Sequence, residues 1–460
     1  MSKSITIAGA GLVGSLLGIM LAKRGYMVQI FERRADMRTE SMLAGRSINL
    51  AMSDRGLMAL EMAGLAEDIR KIAIPMRNRI MHDEHGGISK QPYGVDDQAI
   101  NSVSRGDLNM MLMTMAEANG VTIHFNARCQ SIDVDSATAV FGEEPNNLQT
   151  AQSDILIGAD GAYSAVRDAL LRTDRFDYSQ SYLDHGYKEL HIPPTPDGGF
   201  QLDKNALHIW PRHSFMMIAL PNLDGSFTVT LFLAHKGPVS FEHLTTENAV
   251  TEFFATHFAD AVPLMPTLLQ DFFSNPESSL VTVKCSPWTR NSNIVLIGDA
   301  AHALVPFYGQ GMNCGFEDCR VLIDCLDYTN DNWERALQLY EHHRKPDGDA
   351  IADLAVQNFI EMRDKVADKD FLRRKRIEGF MFKRYPTKFV PQYTLVTFMP
   401  NVPYSEAKRI AKEQDVLMAR LMNNPIVYNE WESDAGIKII DDEMETRKEL
   451  VYLPISPSVY

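Results

Sequence analysis

Short continuous apolar runs punctuate this chain. Ser4 to Ala8 and Met27 to Phe31 each read as a buried β-strand, and the nearly uncharged stretch between them reads as a helix to about Arg24 that Gly25 stops. The same kind of run returns in Ser153 to Ala169, SDILIGADGAYSAVRDA, and at Ile294 to Ile297, each leading through Gly and Asp into a helix. Residues 185 to 284 read differently, as short β-rich segments. HGYKELHI, ALHIWP, FMMIALP and SFTVTLFLA are separated by turn residues at Pro193-Pro194, Asp197-Gly198-Gly199 and Asp224-Gly225, which predicts an inserted antiparallel sheet. From about Trp333 the period becomes helical in WERALQLYEHHR and DAIADLAVQNFIEMRDKVA, followed by a basic patch at Arg373 to Arg376.

The glycines and acids at the strand ends give these elements a chemistry. GAGLVG places Gly9, Gly11 and Gly14 directly after the first strand, with Leu12 and Val13 opening the helix, and the second strand ends at Glu32, followed by Arg33. Strand, tight turn, helix, strand and terminal acid in register form the dinucleotide fingerprint. The first glycine allows the turn, the second lets a pyrophosphate approach, and the third lets helix and strand pack closely. An acid at Glu32 suits ribose hydroxyls and disfavours a 2′-phosphate there, which leaves FAD or NAD for this site. Asp160 in GADG and Asp299 in GDAAH stand at two further strand ends, where open α/β sheets hold ligands. Gln310, Gly311, Met312 and Asn313 mark the start of the next helix, whose free N–H groups favour negative charge. Arg46 and Arg105 are candidates for cofactor phosphates or hydroxyls, or for surface positions.

Composition narrows the partners. The 460 residues carry 60 acidic against 45 basic side chains, a net charge of -15, which argues against nucleic acid and anionic membranes. Five cysteines without paired zinc-type spacing point to reduced thiols in a cytoplasm-like compartment. Ser4 to Ala22 is uncharged enough to mimic a membrane span but flows straight into another strand, and the tail KELVYLPISPSVY is too short and polar for an anchor, so a soluble protein is expected. HDEH, with His82 and His85, reads as a polar turn and His342-His343 as helix surface, so no metal is expected.

Three glycine-rich strand ends, GxGxxG, a central DG and a late GD, resemble the single-component flavin monooxygenases of the para-hydroxybenzoate hydroxylase class. GRSINLAMSDRG, HGYKELHI, NALHIWPR, ALPNLDGSFTVTLF, VPFYGQGMN and PQYTLVTF together resemble the kynurenine 3-monooxygenases, from residue 4 to about 400 and with little to match after Pro400. The resemblance implies tightly bound FAD, NADPH and dioxygen as co-substrates, and 3-hydroxylation of L-kynurenine through a flavin hydroperoxide. It implies that Pro306, Phe307, Tyr308 and Gly309 lie against the flavin ring and the reacting carbon. Tyr308 stands where the family carries Phe or His. Arg79 and Tyr93 match the family's carboxylate-binding pair, with Asn358 and Tyr393 supporting them and Glu361 and Met362 completing the pocket. Asn358, Glu361 and Met362 share one helix face, which without the resemblance reads equally as solvated. Leu207, Met216, Leu220, Thr230 and Phe232 are pocket-lining candidates by their place in the strings, with ordinary core packing as the alternative. The family's animal members carry a C-terminal membrane anchor that this tail lacks, and a homodimer is compatible with the reading.

The expected fold class is α/β: a Rossmann-like FAD-binding domain with an inserted antiparallel β-sheet substrate domain and a C-terminal helical region. Residues 1–70, 98–180 and 285–332 would build the FAD-binding domain, 71–97 and 181–284 the substrate domain, and 333–460 the helical region. Another aromatic acid as substrate and a non-catalytic flavin-binding regulator are the competing readings. A flavin-dependent halogenase ranks lower because Trp210, Trp288, Trp333 and Trp431 stand alone, with no Trp-x-Trp.

Overall fold

In the computed structural model, which describes residues 3–39, 49–94, 98–143, 147–364 and 369–452, the early apolar runs align in one sheet. Its order is Thr289–Arg290, Ile294–Leu296, Ile155–Gly158, Ser4–Ala8, Met27–Phe31 and Thr122–His124, and only the first neighbouring pair is antiparallel. Parallel strands covered on both faces need apolar residues throughout, which is why these runs lack alternation. Ile5, Ile7, Ile30, Leu156, Ile157 and Val295 are all fully buried.

Helix Leu12–Lys23 packs against strand Met27–Phe31 and against helices Arg105–Ala118 and Gly311–Tyr328. Its lack of a polar face therefore reflects burial on several sides. Among the described residues no helix is long and apolar enough to cross a membrane. A Cβ on Gly14 would lie 2.1 Å from the Gly9 carbonyl oxygen, so only glycine lets this helix meet the turn so closely.

The second sheet runs in the order Ser278–Ser286, Asp177–Ile192, Phe227–Ala234, Phe215–Pro221, Ala206–Arg212, Asn78–His82 and Ile88–Pro92. Its pairings are antiparallel except where Asn78–His82 joins Ala206–Arg212 in parallel, which brings Arg79 opposite Leu207. Side chains alternate across a strand. Phe215, Met217, Ala219, Val229, Leu231 and Leu233 pack on one face, with Phe253, Phe254, Phe258 and Phe272 over them.

Those phenylalanines correct the expectation that 185–284 is β-rich throughout. Helices Glu247–His257 and Leu268–Ser274 interrupt it, the first capped by the Ala249 N–H donating to Thr246 Oγ1 at 3.3 Å. The aromatic residues recur at helical spacing and cover the back of the sheet.

HDEH is also corrected. His82 ends strand Asn78–His82 and is only 5% exposed, while His85 stays exposed in the turn. His82 Nε2 lies 3.0 Å from His208 Nδ1 and its Nδ1 lies 3.3 Å from Asp260 Oδ2, beneath Trp210. The alternation that turns Leu207 and Ile209 to one face of strand Ala206–Arg212 turns His208 and Trp210 to the other.

The C-terminal part is helical, with Trp333–Asp364, Lys369–Arg384, Gln392–Thr397, Tyr404–Asn423, Pro425–Glu430 and Asp434–Glu445. Helix Gln392–Thr397 contributes Tyr393 to a small cluster with Tyr93, Met76 and Leu220.

Candidate active site

A cavity of about 1590 Å³ lies between the two sheets. Pockets for one drug-sized ligand reach about 1000 Å³, so this space has room for a large cofactor's reactive end together with a substrate.

At one end Gly11, Leu12 and Val13 front the cavity beside Asp299, Arg105, Gly161 and Ala162. A Cβ on Gly11 or Gly311 would meet nothing within 4 Å, so both glycines face open space. Helices Leu12–Lys23 and Gly311–Tyr328 start without any side-chain cap, leaving their first N–H groups for another acceptor. Burial raises the Asp299 carboxyl and Arg105 draws it back down, and among the described residues no cation pairs with it directly. Two uncapped helix starts, an unpaired carboxylate and a glycine-fronted space fit the phosphates, ribityl chain and ring of FAD.

Other expected cofactor residues act at one remove. Glu32 lies outside the cavity lining and accepts from the Ala10 N–H at 3.0 Å and the Arg34 N–H at 3.0 Å, so it braces the glycine turn. Arg33 is exposed and also away from the cavity. Asp160 Oδ2 accepts from the Ala165 and Val166 N–H groups at 2.7 and 3.3 Å and caps the following helix, while its neighbours Ala159 and Gly161 line the space. Asn313 differs from expectation. Its side chain donates to the Gly309 and Ala51 carbonyls at 2.7 and 2.8 Å and accepts from the Ser53 N–H at 2.9 Å, so it clamps the loop and does not face the cofactor space. Arg46 lies outside the described residues.

At the other end the even-numbered positions Met216, Ile218 and Leu220 line the wall with Thr230, Phe232, Leu207 and Ile209. Arg79 lines that part of the cavity too. Its guanidinium stands 4.5 Å from the Tyr93 ring centroid and 4.2 Å from that of Tyr393, and among the described residues no carboxylate pairs with it. Burial opposes the charge, but the phenols of Tyr393 and Tyr93 hold the guanidinium's pKa above its ordinary value. Burial likewise raises the phenols of Tyr93 and Tyr308, which stay protonated near neutrality.

The loop Pro306–Tyr308 turns at Gly309, φ +65°, between the two ends. Asn358 Nδ2 donates to the Phe307 carbonyl at 2.7 Å, and Tyr308 stacks on Tyr393 with centroids 5.6 Å apart. Glu361 and Met362 line the space on the same helix face, Glu361 accepting from Gln357 Nε2 at 3.1 Å. Gln310 and Met312 also line it. Ile218, Gln357 and Gln392 are lining residues missed in the sequence, although the period-2 step between Met216 and Leu220 points to Ile218.

His302, Cys314 and Asp318 are grouped closely enough to hold a metal ion. An arginine already serves them: Arg344 donates to Asp318 Oδ1 at 2.7 Å and reaches Cys314 Sγ at 3.2 Å. Burial lowers the His302 imidazole, yet Asp318 Oδ2 at 2.6 Å outweighs it and raises the pKa. Asp318 Oδ2 also accepts from the Gly298 N–H at 3.0 Å, which fixes the turn that presents Asp299.

The FAD binding domain family model matches residues 2–355. The chain is 49% identical over 421 residues to the kynurenine 3-monooxygenase of Myxococcus xanthus, covering 91% of this chain and 90% of that one. Against the kynurenine 3-monooxygenase of Flavobacterium psychrophilum it is 46% identical over 434 residues, 94% and 96% of the two chains. The chain belongs to the kynurenine 3-monooxygenase family. An alignment of 434 residues must run past residue 400, so the family likeness includes part of the C-terminal helices, beyond the resembling strings that end at Phe398. The kynurenine 3-monooxygenase of Dictyostelium discoideum is 44% identical, over 93% of this chain and 95% of that one. Solved structures share the fold at lower identity. The tetrameric 2-methyl-3-hydroxypyridine-5-carboxylic acid oxygenase has a TM-score of 0.66 at 20% identity, covering 79% of this chain and 94% of that one. Tetracycline destructase Tet(51) has a TM-score of 0.61 at 20% identity, covering 88% and 99%.

Proposed function

We propose that this protein hydroxylates L-kynurenine at ring position 3, consuming NADPH, a proton and dioxygen and yielding 3-hydroxy-L-kynurenine, NADP⁺ and water. The observation that carries the reading is a guanidinium, Arg79, that no carboxylate among the described residues neutralises, in an apolar-walled part of the cavity whose other end is built for FAD. Gly11, Leu12, Asp299, Gly311 and Met312 would hold the cofactor; when bound, it supplies electron transfer from NADPH and activation of dioxygen.

This chain's residues bind and orient. The planar fork of Arg79 can meet the amino-acid carboxylate with two parallel hydrogen bonds, and the hydroxyls of Tyr93 and Tyr393 flank it. Met216, Ile218, Leu220 and Phe232 hold the aromatic ring and keep water away. Asn358 fixes the Phe307 carbonyl, so the loop that separates ring and cofactor keeps one position. No histidine lines the cavity among the described residues, and the ring's own amine activates the carbon under attack. Five free cysteines suit the reducing cytoplasm that this reading assigns.

The test is NADPH oxidation by the flavin-loaded protein with and without L-kynurenine, with product mass spectrometry and a peroxide assay. Stimulated oxidation with a product one oxygen heavier supports the reading. A flavin-loaded protein that ignores kynurenine sinks it.

A further inference from the structure

We infer that Arg55 is a positioning residue for substrate binding: it bolts the short helix carrying Gln392 and Tyr393 to the helix that fronts the cofactor space. The inference rests on the functional reading above, because the site it positions is the one assigned to the substrate carboxylate.

Arg55 lies in GRSINLAMSDRG but touches neither end of the cavity, and it is 0% exposed. Its Nε donates to the Val396 carbonyl at 2.6 Å, and its Nη2 donates to the carbonyls of Leu395 at 3.2 Å, Met399 at 3.3 Å and Val402. Leu395 and Val396 lie in the last turn of helix Gln392–Thr397, where carbonyls lack partners within the helix. A helix of six residues does not hold itself in water, so bonds from outside decide where it stands.

The other side of the guanidinium is anchored to the cofactor helix. Arg55 Nη1 meets Glu317 Oε1 at 2.8 Å, and Arg344 Nη1 meets Glu317 Oε2 at 2.6 Å. Arg344 Nη1 also holds Asp347 at 3.0 Å, which accepts from the Ser405 N–H at 2.9 Å. The Tyr404 ring lies 3.9 Å from the Arg55 guanidinium, and its hydroxyl donates at 2.8 Å to Gln310 at the start of the cofactor helix. At its free end, helix Gln392–Thr397 presents Tyr393 to Arg79 and donates from Gln392 Nε2 to the Tyr308 hydroxyl at 3.4 Å.

One guanidinium thus grips four carbonyls and a carboxylate, and the spacing between cofactor helix and carboxylate site follows from that grip. Arginine suits the task because its five N–H groups form a rigid, permanently charged fork; the three rotatable donors of lysine cannot span the same set.

The test is the affinity of the FAD-loaded holoenzyme for L-kynurenine, read from flavin absorbance on titration, in wild type, Arg55→Lys, Tyr393→Phe and the double variant. R55K should bind about tenfold more weakly, about 1.4 kcal/mol, with FAD per chain unchanged. The two single losses should combine to less than their product, because both act through one helix. Equal affinity in R55K and wild type overturns the inference, as does loss of FAD in step with kynurenine or a double variant that loses the full product. If R55K does not accumulate as a folded protein, Tyr404→Leu loosens the same guanidinium while leaving its charge on Glu317, and it also removes the hydroxyl bond to Gln310. About threefold weaker binding with FAD per chain unchanged is then expected from the lost ring contact, and unchanged affinity, or a loss of FAD in step with kynurenine, overturns the inference equally. A wild type that does not bind kynurenine overturns the functional reading and this inference with it. A responsive wild type with an indifferent R55K overturns this inference alone.

Discussion

The guanidinium of Arg79 stands 4.2 Å from the ring centroid of Tyr393, although one residue comes from an early strand of the seven-stranded sheet and the other from a late helix. Replacing Arg79 by lysine keeps the charge but removes the fork. The Arg79→Lys variant should bind L-kynurenine more weakly by about 2 kcal/mol, roughly thirtyfold, with FAD content unchanged. Titration of the holoenzyme checks both quantities, and unaltered substrate affinity would remove Arg79 from the carboxylate site.

Asn358 predicts a coupling defect. Losing its bond to the Phe307 carbonyl costs about 1 kcal/mol of loop stability and frees the segment between ring and cofactor. Asn358→Ala should release more hydrogen peroxide per NADPH oxidised than wild type while still responding to kynurenine. A peroxide yield equal to wild type contradicts the role given to this contact.

Glu32 predicts a cofactor defect through the glycine turn. Glu32→Ala removes the acceptor for the Ala10 N–H that braces the glycine turn, so the purified variant should carry less FAD. Full flavin content after purification would count against the assignment.

Burial pushes the His208 imidazole down from 6.5 to about 4. The unfolded chain takes up this proton below about pH 6.5, whereas the folded one resists it to about pH 4, so stability is full above that window and falls as pH falls through it. His208 Nε2 donates to the Asp203 carbonyl at 3.0 Å, which leaves its Nδ1 to accept from His82. His208→Gln should be less stable than wild type near neutrality, because these bonds are disturbed, but should lose less further stability on acidification. Urea midpoints followed from neutral to mildly acid pH read the two slopes, and parallel slopes would show that His208 is not the group responsible.

Much of this protein is local and therefore legible in its residues. Buried parallel strands must be apolar throughout, so Ser4–Ala8 and Met27–Phe31 declare themselves, and the step from Gly9 to Gly14 declares the turn between helix and strand. Alternation along Phe215–Pro221 separates the cavity face from the packed face, which is why Met216 and Leu220 stand out and Ile218 should have. Helices Glu247–His257 and Leu268–Ser274 were hidden because phenylalanines suit strands and helices alike.

The identity of the partners was not local. Asn313 looks like a cofactor ligand in its motif, yet strand Asn49–Met52 approaches and takes its amide. His82 looks like part of a polar turn, yet the parallel pairing of Asn78–His82 with Ala206–Arg212 buries it against His208. Arg55 has no evident role in its string until helix Gln392–Thr397 lays its carbonyls across it. The sequence by itself determined the elements, the glycine turns and the family, because period and backbone freedom act over a few residues. The tertiary structure alone decided which polar group meets which, because a buried donor or acceptor is satisfied by whatever distant segment packs against it.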